Sequence, residues 1–383
     1  MVEHFPEEEG VPGSSPGPST RMYQKLFLWI QKHEQHLSAF AMVAGFVVDS
    51  FFFERVDLWQ TQMVFAVYTA VCFITIPLLH WIETRVSRGI PRPRWSSILP
   101  IATQFALGGF WSGFIIYYGR SAVFGASWPF LIFLFLVFLG NEYFRQYHSR
   151  LVFTSVLFFF ALYSYAIFAL PIYTGAIGTL TFLWSGGIAI CIFALFIVLL
   201  RLVGRERFFI DVWRIRAGAF LVLVVINLSY FTNILPPLPL SMEYSGIYHS
   251  VWHIPGAYLA RNEVNQPWQV RYLSFAPTLH VIYGDSLSAY GAVFAPTALT
   301  TTVVHRWQWY DPIKKQWVKK STIAYPIIGG RDGGYRGYSE VPIYDMGQWR
   351  VNIETADGRL IARLQFTAEQ ATTSPPEETI ILR

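Results

Sequence analysis

Cysteine and charge are the scarce commodities of this chain. Two cysteines occur in 383 residues, Cys72 and Cys191, and both fall inside long apolar runs. Residues 242–383 contain none, which excludes a disulfide framework and any cysteine-based zinc or thiol chemistry there. Charged residues make up 14% of the chain, well under the quarter usual for soluble domains, and 53% are hydrophobic. Proline, by contrast, clusters: Pro236, Pro237 and Pro239 lie within four residues, in "INLSYFTNILPPLPLSMEYSGIYHS". Nearly all long apolar runs precede that cluster and none follows it.

The formal net charge of +5 is no sign of nucleic-acid binding, because it is unevenly held. Residues 242–383 carry 13 Lys and Arg against 12 Asp and Glu, and residues 1–241 carry 16 against 12. The excess lies in short segments between apolar runs, where it has a topological meaning. A bilayer core of about 30 Å needs about 20 helical residues. Seven stretches qualify as candidate spans: 37–53, 62–82, 96–118, 126–143, 151–170, 176–200 and 217–235. Trp59, Trp81, Trp95, Trp128 and Tyr173 mark span ends, as interfacial aromatics do. With the N-terminus in the cytoplasm, the inside segments hold 14 Lys and Arg and the outside loops hold two, Arg55 and Arg120. That bias fixes the orientation as N-in. An odd number of spans then places residue 242 onward outside the cytoplasm.

The expected organisation runs from tail to domain. Residues 1–36 form a disordered, Pro/Gly/Ser-rich cytoplasmic tail and a pre-helix segment without a cleavable signal pattern. Residues 37–241 form an all-α bundle of seven transmembrane helices. The prolines end the seventh helix, because proline lacks a backbone donor, and continue as a stiff extended spacer. Residues 242–275 are a juxtamembrane connector, either a surface helix or additional strands. Residues 276–370 alternate in polarity with period two, and 371–383 are a tail. In "TVVHRWQWY", Val303, His305, Trp307 and Trp309 share one face, and Arg306, Gln308 and Tyr310 the other. "GQWRVNIETADGRLIARLQFTA" reads as a hairpin turning at Asp357-Gly358. Short strands with turns about every ten residues predict an antiparallel, all-β sandwich of immunoglobulin-like type.

These same stretches, "FAPTALTTTVVHRWQWYD", "GGYRGYSE" and "GQWRVNIETADGRLIA", resemble a bacterial membrane-protein family with a domain of unknown function, number 2914. "AGFVVDSFFFERVD", "QFALGGF", "YYGRSA", "NEYFR" and "YFTNILPPLPLS" extend the resemblance to nearly the whole chain after residue 37. The resemblance implies a multi-pass protein with a terminal β domain. It carries no catalytic residue.

The candidate functional residues fall into three groups. Aromatic and arginine side chains of the β region, namely Trp307, Trp309, Tyr335, Arg336, Tyr338, Trp349 and Arg350, exceed what a small core absorbs. An exposed strip of them would dock a protein partner or an envelope glycan; the alternative is that the tryptophans are core and arginine stems cover them. Asp49 lies within a span, and Arg55, Arg120 and Asn233 belong at the same level. Such groups mark either a polar entrance of a transporter or membrane enzyme acting on lipid or glycan, or an ion pair fixing helix packing. His249 and His253 are four apart and would share a helix face, with Glu243, Glu263 and His280 as the further metal-ligand candidates. The glycine-rich "GGRDGGYRGYS" lacks P-loop spacing. No nucleophile–base or carboxylate pair supports hydrolysis, and no cofactor is implied. The expected partners are membrane lipid and a protein or glycan outside the cytoplasm; a subunit of a larger membrane complex is a third reading.

Overall fold

The computed structural model describes Phe53 and residues 57–121, 124–143, 150–203, 205–264, 276–297, 299–331 and 333–382. The candidate span 37–53, with Asp49, lies outside them except for Phe53, and Arg55 lies outside them too. Among the described residues six α-helices come first: α1 (Trp59–Val86), α2 (Ile98–Ser121), α3 (Phe124–Tyr143), α4 (Arg150–Thr174), α5 (Thr179–Val203) and α6 (Arg205–Phe231). Among the described residues, five of them (α1, α2, α4, α5 and α6) are long and apolar enough to cross a membrane. The sixth, α3, contributes a shorter apolar stretch, Ser127–Leu136. A helix satisfies its own backbone polar groups, so apolar runs of this length fold this way where water is absent. Their few polar side chains also bond internally. Thr75 and Thr103 share a 2.7 Å hydrogen bond between α1 and α2. Asn227 of α6 donates to the Tyr163 hydroxyl of α4 at 3.2 Å, the interhelical role expected of amides within spans. Gly113 allows close contact: a Cβ there would lie 2.4 Å from the Phe65 ring.

The end of α6 departs from the sequence expectation. The helix stops at Phe231, five residues before Pro236. Asn233 adopts φ 58°, the left-handed conformation that closes a helix, and the Ile234 and Leu235 N–H groups both return to the Ser229 carbonyl. The cap ends the helix, and the prolines come later. Nor do the prolines form a spacer. Residues Leu235–Ser241 are all buried, and Leu240 belongs to a core cluster of the β region. Strand β1 starts at Ser241, within one residue of that core.

Among the described residues eleven strands follow: β1 (Ser241–Tyr248), β2 (Ser250–Ile254), β3 (Ala257–Glu263), β4 (Thr278–Val281), β5 (Ser286–Phe294), β6 (Thr300–Asp311), β7 (Gln316–Ile328), β8 (Tyr335–Pro342), β9 (Gly347–Thr355), β10 (Leu360–Gln370) and β11 (Glu377–Leu382). They form three sheets, ordered β1-β5-β8, β4-β10-β9-β6-β7 and β11-β3-β2. All pairings are antiparallel except β4 with β10. The described part of the expected connector, 242–264, takes the second of its two readings, additional strands, and the expected tail supplies β11. The β-rich part runs from Ser241 to Leu382, wider than 276–370. Two-residue alternation is weak in 244–263 because both faces carry aromatic and charged groups, so composition conceals the strands.

Side chains from the five-stranded sheet and from β5 and β8 meet in one core, with Trp307, Trp349 and Phe366 at its centre. The third sheet covers Tyr290 and Ala292 on the opposite face of β5.

The β-rich part is seated directly on the helix ends. Ile177, between α4 and α5, packs against the Leu240–Ile361 cluster. The Thr297 N–H and hydroxyl both lie 3.3 Å from Asp57 Oδ2, just before α1. Arg359, in the β9–β10 turn, donates through Nη2 to the Leu235 carbonyl at 2.9 Å and stacks 3.9 Å above the Tyr230 ring. Beside the Asp57 contact, Gly329 leaves no room for a side chain: a Cβ would lie 1.7 Å from the Pro296 carbonyl oxygen. Gly329→Ala is therefore expected to displace the 295–297 segment and lower stability by about 1–3 kcal/mol, the usual range for overpacking. Thermal unfolding of the purified chain reads that loss.

Candidate functional site

The period-two reading of β6 and β9 sorts the candidate residues. On β6 the inward face holds Val303, His305 and Trp307, all fully buried. On β9 the inward face holds Trp349, Val351 and Ile353. Trp307 and Trp349 are 0% and 1% exposed, so neither touches a ligand at the surface. Their rings lie 6.5 Å apart, edge to face, and Trp349 stacks on Phe366 at 6.2 Å. Of the two alternatives open in the sequence, these two tryptophans take the core one. Trp309 is half-buried: its indole N–H donates to the Met346 carbonyl at 2.9 Å, and Lys320 sits 4.9 Å above its ring. Tyr335, Arg336 and Tyr338 lie on β8, in a different sheet. Tyr338 is exposed and packs near Tyr258 of β3, while Arg331 stacks on Tyr335 at 4.7 Å. The seven residues are therefore not one strip.

Arg350 alone of the seven faces outward from the five-stranded sheet, where it joins residues the sequence placed on that face. Register pairs Gln308 of β6 with Arg350 of β9, and Arg363 of β10 with Asn352 of β9. The Arg350 Nε donates to Gln308 Oε1 at 2.8 Å, and the Arg363 Nε donates to Asn352 Oδ1 at 2.8 Å. Arg306 pairs with Glu354 at 2.9 Å. The Arg350 guanidinium lies 4.2 Å above the Trp317 ring, itself 5.3 Å from Tyr310. Partial burial pushes Arg350 below the usual guanidinium range, with Arg363 adding to the effect. Burial likewise raises Glu354, against the opposing pull of Arg306. Cross-strand hydrogen bonds hold these side chains in fixed rotamers, so the face is a preorganised polar surface with an aromatic floor.

Behind it lies a polar network inside the core. His305 Nδ1 is 2.8 Å from the Ser339 hydroxyl, and Nε2 is 2.9 Å from the Tyr325 hydroxyl. The Trp307 indole N–H donates to the same Ser339 oxygen at 2.9 Å. Burial lowers the His305 pKa to about 4 and pushes Tyr325 up. Serine and histidine at bonding distance invite comparison with a nucleophile–base pair. Here every partner except Tyr325 is sealed from solvent, and the pair is a structural one.

The histidine pair resolves differently from expectation. β2 is a strand, so the extended backbone carries His253 well away from His249 along the chain, and its ring instead meets that of Tyr258, tilted, at 4.7 Å. His249 instead meets Glu263 and Glu377, each at 3.7 Å, and Glu263 also meets His280 at 2.6 Å. Glu263 and His280 are candidates from the sequence; Glu377 is an addition, brought by β11. Among the described residues no group of three His, Cys, Asp or Glu is placed to hold a metal ion.

Of the intramembrane set, Asp49 and Arg55 lie outside the described residues, and of Arg120 the structure gives the helical backbone alone. Asn233 is exposed, and its place is explained by the helix cap rather than by a polar entrance. Two residues central to the junction, Arg359 and Thr297, have no marker in the sequence. Arg359 follows an ordinary Asp-Gly turn, and only the tertiary fold shows what that turn reaches.

Comparisons with known proteins match one stretch of the chain to a family. No curated protein matches the chain. An immunoglobulin-like protein from Pseudomonas aeruginosa aligns with 34% of this chain and 96% of its own, at 12% identity and TM-score 0.21. The alkylpurine DNA glycosylase AlkC of Pseudomonas fluorescens, bound to DNA containing an abasic-site analogue, aligns with 82% of this chain and 99% of its own, at 8% identity and TM-score 0.21. Neither likeness is close enough to carry an argument about this fold. Residues 300–368, from β6 through most of β10, match the family described as "Protein of unknown function (DUF2914)", the family that the sequence resembles.

Proposed function

We propose that the chain is a multi-pass protein of the bacterial inner membrane that displays its β-rich part outside the cytoplasm to bind a protein partner or envelope glycan. The observation that carries the binding reading is the outward face of the five-stranded sheet. Arg350 is stacked on Trp317 and fixed by Gln308, on the side of the sheet turned away from the core. Arginine on an aromatic ring, held by neighbours, is a surface that desolvates at low entropic cost, the character of binding hot spots. The seven-span count combines α1 to α6 with the candidate span 37–53. With the Lys and Arg bias, it supports a cytoplasmic N-terminus and an external C-terminal part. The core shared by the five-stranded sheet with β5 and β8 supports the immunoglobulin-like sandwich.

Two experiments test this reading. A reporter active only outside the cytoplasm, fused after Arg383, is expected to be active, and a cytoplasm-only reporter silent; the reverse would mean an even number of spans. A photo-crosslinking residue at Tyr310, beside Trp317, is expected to yield a discrete adduct in cells that Arg350→Ala weakens. An adduct pattern identical to that from Thr379, on β11 of the third sheet, would overturn the assignment of the face.

A further inference from the structure

The register of the five-stranded sheet arranges its outward side chains in rows. One row runs Arg363, Asn352, Arg306 across β10, β9 and β6. The next runs Gln365, Arg350, Gln308, Lys319 across β10, β9, β6 and β7. Amides alternate with cations, so no two positive charges stand directly opposite, the pairing that destabilises a sheet. Arg350 and Arg363 remain diagonal neighbours; burial, and then the Arg363 charge, press the Arg350 pKa down. Residues 242–383 as a whole are nearly balanced, with 13 Lys and Arg against 12 Asp and Glu. The rows instead gather Arg306, Lys319, Arg350 and Arg363, and the carboxylate beside them, Glu354, is spent on Arg306.

Hydrogen bonds within the rows consume the acceptors. Gln308 Oε1 accepts from Arg350 Nε at 2.8 Å and from Asn352 Nδ2 at 3.4 Å. Asn352 Oδ1 accepts from Arg363 Nε at 2.8 Å. Both guanidiniums are thus anchored through Nε, and among the described residues their terminal Nη groups have no carboxylate within ion-pair distance. What the rows still offer is donors. A donor surface with excess positive charge is complemented by an oxyanion, which the planar fork of two Nη–H groups meets with paired hydrogen bonds.

The surroundings indicate what carries the oxyanion. Tyr310 and Trp317 flank the rows, and both are half-buried, with the Arg350 guanidinium over the Trp317 ring. Neither is among the exposed large apolar side chains. An interface with a protein concentrates its energy in aromatic and apolar anchors at a desolvated centre. A hydrated acidic glycan needs none: its oxyanions meet the arginines, and its hydroxyls accept from the intervening amide N–H groups.

We infer that Arg350 and Arg363, anchored by Gln308 and Asn352, form a paired oxyanion seat for an acidic glycan whose sugars carry carboxylate or phosphodiester groups. This rests on the reading of the outward face as the binding surface and narrows it to one class of ligand. Fluorescence anisotropy with the full chain in detergent tests it. The probes are labelled oligomers of polygalacturonate and of poly(ribitol phosphate), with neutral dextran and polyglutamate of similar length beside them. At least one acidic glycan is expected to bind saturably, dextran not at all, and polyglutamate about tenfold more weakly. Arg350→Gln with Arg363→Gln is expected to weaken glycan binding by about tenfold or more. Lys314→Gln with Lys315→Gln removes the same charge from the β6–β7 turn and should change it by less than about twofold. Equal losses in the two double variants would reduce the seat to diffuse attraction and overturn it. Polyglutamate binding as tightly as the glycans would replace the glycan by an acidic protein segment. Should the arginine double variant fail to fold, the ranking of probes by the parent protein still decides. Failure of both acidic glycans, with the crosslinker at Tyr310 still yielding its discrete adduct, would overturn the ligand class and leave the face a binding surface. Failure of both glycans and of the adduct would overturn that reading as well.

Discussion

Trp349→Ala is expected to lower the stability of the β-rich part by about 3–5 kcal/mol, the range for emptying a large aromatic site. The neighbouring change, Arg350→Ala, is expected to cost about 1 kcal/mol or less, because it removes a surface stack and one hydrogen bond. The two residues are adjacent and point to opposite sides of one sheet. Trp349 is 1% exposed, with Trp307 and Phe366 against it and its indole N–H donating to the Asp345 carbonyl at 2.8 Å. Removing it opens a cavity that two rigid aromatic neighbours cannot fill. Arg350 rests on Trp317 from outside, and water replaces its contacts. Chemical denaturation followed by far-ultraviolet circular dichroism separates the two. Equal losses would mean that the outward face is also structural, and binding there would lose its support.

Acid is the second probe with a large effect. His305 has an ordinary pKa of 6.5 and is held near 4 in the folded chain by burial between Ser339 and Tyr325. A pKa depressed on folding means that the unfolded chain takes up the proton first. The stability from the neutral, bonded histidine is thus fully present above about pH 6.5. It declines as pH falls from 6.5 toward 4 and changes no further below that. The gap corresponds to about 3 kcal/mol at most. His305→Gln retains a donor and an acceptor but does not titrate. Its stability should be nearly flat across that window where the parent protein declines. A parent curve as flat as the variant's would show that water reaches His305.

Much of this architecture was readable from residue spacing, and the failures have physical causes. Alternation in "TVVHRWQWY" correctly grouped His305, Trp307 and Trp309 on one face. It could not say which face was inside, because Tyr310 and Trp317 make the other face aromatic as well. Hydropathy locates the described helices, yet it carries the last one past Asn233, since Ile234 and Leu235 are as apolar as a span. The missing N–H groups of the prolines suggest a helix stop and a spacer. Their apolar rings matter more here: they are buried, and they close the distance between helix and sheet. Strands β1 and β11 pair with partners far away in sequence, β5 and β3. Local pattern holds no trace of such pairings. The same is true of Arg359, whose charge is an ordinary turn residue until the fold seats it on Tyr230.

Whether the β-rich part is seated on the helices or hangs from a linker is decided most directly by a distance between spin labels. One label replaces Leu180, exposed at the start of α5, and the other replaces Lys314 at the exposed β6–β7 turn, in a background with Cys72→Ala and Cys191→Ala. The contacts of Ile177, Asp57 and Arg359 predict one narrow distance distribution in lipid nanodiscs, broadened in Arg359→Gln. A distribution already broad in the parent protein would contradict the seated arrangement and restore the flexible spacer.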